Sequence, residues 1–172
     1  MNPQDSDEFI RVKVTGLTID PFTNMPIIIL KDATEATALP IWIGLIEASS
    51  IATELEKIEL ARPMTHDLMK RIMDSYGIKV DRVEINDLTD NTFFARVYLS
   101  RDDKKIDLDS RPSDAIAIAL RTQAPIFVSK KVLEKSRRVD LSKKLDEGEM
   151  KEQKWAEILE SLAPEDFGKY KM

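Results

Sequence analysis

Two segments of the chain carry an arginine, a proline, a hydroxyl residue and an aspartate in the same order: Arg62-Pro63-Met64-Thr65-His66-Asp67 and Arg111-Pro112-Ser113-Asp114. Each opens what reads as a helix. The free N–H groups and dipole of a helix start attract anions, and a neighbouring arginine can grip a phosphate through paired hydrogen bonds. Arg62, Thr65, Arg111 and Ser113 are therefore candidate phosphate-binding residues. His66 is the single histidine of the chain, and imidazole is the side chain that titrates near neutrality without special tuning. It is the candidate general acid or base, with Asp67 beside it as orienting carboxylate. Ile106-Asp107-Leu108-Asp109 alternates strictly, so the two carboxylates share one strand face about 7 Å apart. With Asp114 they form a candidate oxygen-ligand set for a hydrated Mg²⁺ or Mn²⁺. Glu47, just after Trp42-Ile43-Gly44, is a further candidate acid at a strand-to-helix junction. A plainer reading stands beside each. Pro, Ser, Thr and Asp are ordinary helix-start residues, and Asp109 can simply pair with Arg111.

The elements that must position these groups follow from periodicity. Residues 9–15 alternate as a half-buried strand. Ile27-Ile28-Ile29-Leu30 reads as a strand buried on both faces. Residues 37–43 form a third strand, which Pro40 assigns to an edge or a bulge. Ala48, Ile51, Ala52, Leu55 and Ile58 then follow a helical stripe. A second helix starts near Thr65, its expected N-cap, buries Leu68, Met69, Ile72, Met73 and Tyr76, and ends at Gly77. Strands at about 78–86, 92–100 and 104–109 form an antiparallel meander. An apolar, buried helix spans 112–121, with Pro112 in its first turn. A short strand at 125–128 and a helical turn near Lys130 follow. The pattern predicts an α+β domain over residues 1–136, a mixed, largely antiparallel sheet with helices packed on it. Residues 137–172 read as a polar linker and a C-terminal amphipathic helix carrying Trp155, Ile158, Leu159 and Leu162.

Composition limits the chemistry. The 172 residues contain no cysteine, which excludes disulfides, thiolate metal sites and thiol catalysis. One histidine excludes multi-histidine metal centres. The net charge is −5, and neither side of the composition break near Ser136 is basic, so bulk electrostatics oppose nucleic-acid binding. No apolar run reaches the roughly 18 residues of a membrane span. The acidic first residues do not read as a signal peptide, and a cytoplasmic location is expected. No Walker loop, Rossmann fingerprint, HExxH or Ser-His-Asp motif appears, no Ser/His pair has a nucleophile-elbow context, and no organic cofactor is expected.

Four ordered blocks resemble one known family, the bifunctional nuclease domain, formerly a domain of unknown function. They are Leu39-Pro40-Ile41-Trp42-Ile43-Gly44 with Glu47-Ala48, Arg62 to Leu68, Asn91-Thr92-Phe93-Phe94-Ala95, and Asp109 to Ala117. The resemblance covers about residues 9–135. It implies an α+β fold, a dimeric domain and a nuclease acting on DNA and RNA, with a divalent metal by analogy. Phe94 stands where the family often has tyrosine, Ser110 where alanine is common, and the stretch Lys57 to Ala61 lacks a frequent glycine.

Two functional readings use the same residues. In the first, a metal-assisted phosphodiester hydrolase, Asp107, Asp109 and Asp114 hold the ion. His66, Asp67 and Glu47 supply acid–base chemistry, and Arg62, Thr65, Arg111 and Ser113 hold phosphate. In the second, a non-catalytic homodimeric module binds an anionic ligand, nucleic acid or protein through those arginines.

Overall fold

The structure, a computed structural model, describes residues 8–35 and 37–138. The amphipathic segment at Trp155, Ile158, Leu159 and Leu162 lies outside the described residues, as does nearly all of the expected 137–172 unit. The domain is α+β, as its periodicity predicts. It runs β1 (Phe9–Ile19), β2 (Pro26–Asp32), β3 (Ala38–Trp42), α1 (Leu45–Leu55), α2 (Thr65–Ser75), β4 (Lys79–Thr89), β5 (Thr92–Arg101), β6 (Lys104–Ser110), α3 (Pro112–Thr122), β7 (Ile126–Ser129) and α4 (Lys130–Arg138). The strands form one seven-stranded sheet in the order β3-β2-β1-β7-β4-β5-β6. Two antiparallel meanders, β1–β3 and β4–β6, are joined by the last strand. β7 pairs antiparallel with β1 and parallel with β4. β3 is an outer strand, the place where a proline without an N–H is tolerated, and Pro40 sits within it opposite Ile29.

One face of the sheet carries α1, α3 and α2. α3 is the middle helix, packed on β4 and β5 and flanked by the other two. Its small and branched residues, Ala115, Ile116, Ala117, Ile118 and Ala119, are all buried, which lets the helix sit close to the sheet. They meet Val83, Ile85, Ala95 and Val97 in one continuous core that extends to Ile28, Leu30, Ala48 and Ile51. On the other sheet face Phe94 is 42% exposed, and Arg96 pairs with Asp107 across adjacent strands. α4 is tied to β4 by Lys135 and Lys131 on the Asp87 carboxylate. Those ammonium groups and the Leu88 N–H hold Asp87 well below the usual carboxylate range. Among the described residues, no helix is long and apolar enough to cross a membrane.

α2 departs from expectation in two ways. Its N-cap is Met64, not Thr65, which is the first helical residue. The Asp67 carboxylate accepts the Met64 N–H at 2.9 Å, so the third helical residue reaches back to do the capping work. Of its apolar stripe only Met73 is buried. Leu68, Met69, Ile72 and Tyr76 are 51%, 41%, 48% and 62% exposed, because α2 packs mainly along α3 and not over the sheet. Its C-terminus is as expected. Gly77 adopts φ +65°, its N–H reaches the Asp74 carbonyl at 3.2 Å, and the Ile78 N–H reaches Met73 at 2.8 Å. This is the paired closure that a left-handed residue after a helix permits. A Cβ on Gly77 would have nothing within 4 Å, so Gly77→Ala carries only the left-handed backbone penalty. The expected loss is about 1 to 2 kcal/mol, read from the urea midpoint.

Candidate active site

Three helix starts meet at one cavity of about 620 Å³. Ile46 and Glu47 come from the first turn of α1, Thr65 and His66 from α2, and Arg111 and Asp114 from α3. Ser50, Met64, Met69, Asp109, Ser110 and Ile118 complete the wall. Each helix carries an acid as its third residue: Glu47, Asp67 and Asp114. These carboxylates face the positive ends of the helices, and two arginines tie them together.

Arg111 forms the outer tie. Its Nε and Nη2 fork onto Asp114 at 2.8 and 3.2 Å, and its Nη1 donates to Glu47 Oε1 at 2.7 Å. Asp114 and then Glu47 hold the guanidinium pKa above its ordinary value. Three of its five N–H groups are used, and the side chain is 65% exposed, so two N–H groups remain for an incoming oxyanion. Gly44, the N-cap of α1, makes room for the Glu47 carboxylate, which a Cβ there would strike.

Arg121 forms the inner tie. Its side chain is 2% exposed. Nε donates to Asp67 Oδ1 at 2.6 Å, Nη2 to the Ser50 carbonyl at 3.1 Å and Nη1 to the Ala117 carbonyl at 3.1 Å. One buried guanidinium thus pins α3 to both α1 and α2. Burial pushes the Asp67 carboxyl up, but Arg121 and the Met64 N–H outweigh it and leave it below its ordinary value.

His66 lies between the ties. Its Nε2 is 3.1 Å from Asp114 Oδ1 and its Nδ1 is 2.8 Å from the Ser50 hydroxyl. Asp114 accepts the Arg111 fork on both oxygens, so it faces Nε2 as an acceptor. The neutral ring therefore carries its proton on Nε2, and the Ser50 O–H donates to Nδ1. The result is one chain of contacts, Ser50–His66–Asp114–Arg111–Glu47, across three helices.

Of the residues singled out by sequence, Glu47, Thr65, His66, Asp109, Arg111 and Asp114 line the cavity. Asp67 is drawn to Arg121, and the carboxylate bonded to the imidazole is Asp114. Arg62 is exposed in the bend before α2 and does not line the cavity, and Ser113 is buried in the first turn of α3. Asp107 sits against Arg96 on the sheet face without α1–α3. Asp107 and Asp109 do share a strand face, but only the end of β6 borders the cavity. Among the described residues no three histidine or acidic side chains gather closely enough to hold a metal ion, so the donor set does not fit the expected three-carboxylate site. Two members of the site went unread in sequence. Ser50 and Arg121 sit on apolar helix stretches, and their partners lie 16 and 54 residues away, beyond any local spacing rule.

A profile of the bifunctional nuclease domain matches residues 28–140. An uncharacterized protein of Mycobacterium tuberculosis is 36% identical over 161 residues, covering 91% of this chain and 96% of its own. Bifunctional nuclease 2 of Arabidopsis thaliana is 34% identical over 95 residues, 54% of this chain and 29% of its own. Bifunctional nuclease 1 of Oryza sativa subsp. japonica is 30% identical over 97 residues, 55% of this chain and 29% of its own. The matches to the two plant proteins thus span less than a third of their length. The profile starts at β2, yet β1 belongs to the same sheet, between β2 and β7. With the profile spanning all three helix starts, the chain belongs to the bifunctional nuclease domain family.

Proposed function

We propose that the cavity binds a phosphodiester of DNA or RNA and that the chain is a nuclease of low substrate specificity. The observation that carries this is the meeting of three helix N-termini, the exposed guanidinium of Arg111 and the only imidazole of the chain at one cavity. Backbone N–H groups and the two uncommitted Arg111 N–H groups receive the phosphate oxygens. His66 moves the proton that the attacking or leaving oxygen must lose or gain. The names of the plant relatives point to the same chemistry. Asp109, Asp114 and Glu47 are the carboxylates that line the cavity. They do not make a three-ligand set, so no step is routed through Mg²⁺ or Mn²⁺.

The test is cleavage of single-stranded and duplex DNA and RNA by the purified chain, with Mg²⁺, Mn²⁺ or EDTA. Arg111→Ala is expected to raise KM at least tenfold, since it removes the phosphate contact. Binding of nucleic acid or another anion without turnover under any condition would establish the non-catalytic module instead.

The proposal includes a second copy of the chain. Leu68, Met69, Ile72 and Tyr76 leave an apolar stripe on α2. On the edge strand β6, Ile106 and Leu108 pair with core residues Leu99 and Val97, so they lie on the helix-bearing face, yet they are 56% and 49% exposed. Apolar surface of this kind marks an interaction site. Light scattering is expected to give a dimer, and Ile72→Asp a folded monomer. A wild-type monomer at micromolar concentration would remove this part.

A further inference from the structure

α1 carries three buried hydroxyls, and they are not equivalent. Ser49 Oγ donates to the Ile46 carbonyl at 2.8 Å and Thr53 Oγ1 to the Ser49 carbonyl at 2.7 Å. Both are absorbed by their own helix, as hydroxyls inside helices usually are. Ser50 instead turns away from the backbone and meets His66 Nδ1 at 2.8 Å on the cavity wall. Both imidazole nitrogens are engaged in the resting site, so the first proton that His66 takes up comes through one of its two partners. Asp114 accepts the Arg111 fork on both of its oxygens and so acts toward His66 as an acceptor. Ser50 is the remaining source, with a base on its hydroxyl and an acceptor behind that base. Acid, imidazole and hydroxyl in series are the constellation that activates a serine oxygen.

We propose that Ser50 is a covalent nucleophile of this cavity, directed at phosphorus. In the first half-reaction the Ser50 O–H gives its proton to His66 Nδ1 and a bond forms between Oγ and phosphorus. The bond from phosphorus to the leaving oxygen breaks. That oxygen departs with the bonding pair and takes the proton from Nδ1. Throughout, the Nε2–H stays on Asp114, whose charge stabilises the transient imidazolium. In the second half-reaction water attacks phosphorus and passes its proton to Nδ1, and Oγ leaves and recovers that proton. No oxidant, reductant or further reactant is needed. The two uncommitted N–H groups of Arg111 hold the phosphoryl oxygens in place through both half-reactions.

The substrate class rests on the phosphodiester reading, whereas the nucleophile is tested without it. The full chain is treated with a biotinylated alkyl fluorophosphonate, digested and mapped by mass spectrometry. The expected result is one adduct on Ser50, formed at least about 100-fold more slowly in His66→Gln and absent in Ser50→Ala. Ser110→Ala, which removes another hydroxyl of the same wall, labels like wild type. Circular dichroism and Tm establish that each variant is folded. No adduct on Ser50 in the folded wild type, or His66→Gln labelling at the wild-type rate, overturns the assignment. Nucleic-acid cleavage by Ser50→Ala at the wild-type rate overturns it too and leaves the nuclease reading intact. An adduct on Ser50 in a chain that cleaves no nucleic acid upholds the nucleophile and removes that reading.

Discussion

Arg121→Leu is expected to destabilise the domain by about 3 kcal/mol. The guanidinium is 2% exposed and the Asp67 carboxylate beside it 28%. Removing the arginine leaves a half-buried anion with the Met64 N–H as its remaining partner, and strips the Ser50 carbonyl of a donor. Breaking one side of a buried pair costs more than the pair is worth, because the survivor has lost both water and partner. Arg121→Leu combined with Asp67→Leu is therefore expected to recover part of the loss. For a domain of this size the single variant should melt about 6 to 12 °C below wild type. The pH dependence has a fixed sign. The native Asp67 pKa lies below its ordinary value of 3.8. Its stabilisation is complete above the unfolded pKa and fades as pH falls through the native one. The gap between wild type and Arg121→Leu should therefore be full at pH 6 and shrink below about pH 4. A calorimetric Tm within about 2 °C of wild type at pH 6 would show that the buried arginine does not hold the three helices together.

That arginine also marks where local sequence rules stop. The strands were legible because alternation reports a half-buried surface, and the 112–121 helix because an apolar helix must lie at the centre of something. Pro40 at an edge and Gly77 after a helix follow from what their backbones forbid and allow. The stripe on α2 was legible as a stripe but not as a covered face, since periodicity shows which residues are apolar and says nothing of what packs on them. The cavity was half legible. His66, Arg111, Asp114 and Glu47 announced themselves as helix-start groups beside arginines. Which carboxylate would meet the imidazole was decided by three helices docking at their N-termini. Asp67 is adjacent to His66 in sequence but points to Arg121, whereas Asp114, 48 residues on, reaches Nε2. Ser50 carries no local mark at all. It is an ordinary serine of α1 until α2 places a histidine against it.

His66→Gln is expected to lower kcat for phosphodiester cleavage by about 10² to 10⁴, with KM changed far less. The argument is one of position. The ring lies on the cavity wall but is only 12% exposed, so it contributes little to binding and much to proton transfer. Glutamine keeps a polar group between Ser50 and Asp114 but cannot accept a proton and pass it on. Its folding penalty should be limited to imperfect hydrogen bonds, each worth about 1 kcal/mol, and Tm should fall by only a few degrees. A loss of kcat with retained Tm and retained KM separates a proton-transfer group from a structural one, because a merely structural histidine would move all three together. The comparison with Arg111→Ala sharpens this. That variant removes a phosphate contact while leaving the Ser50–His66 pair in place, so its effect should fall mainly on KM. If His66→Gln cleaved at the wild-type kcat, the proton would have to be carried by another group, and the Ser50–His66–Asp114 chain would be a device for joining α1, α2 and α3 and nothing more.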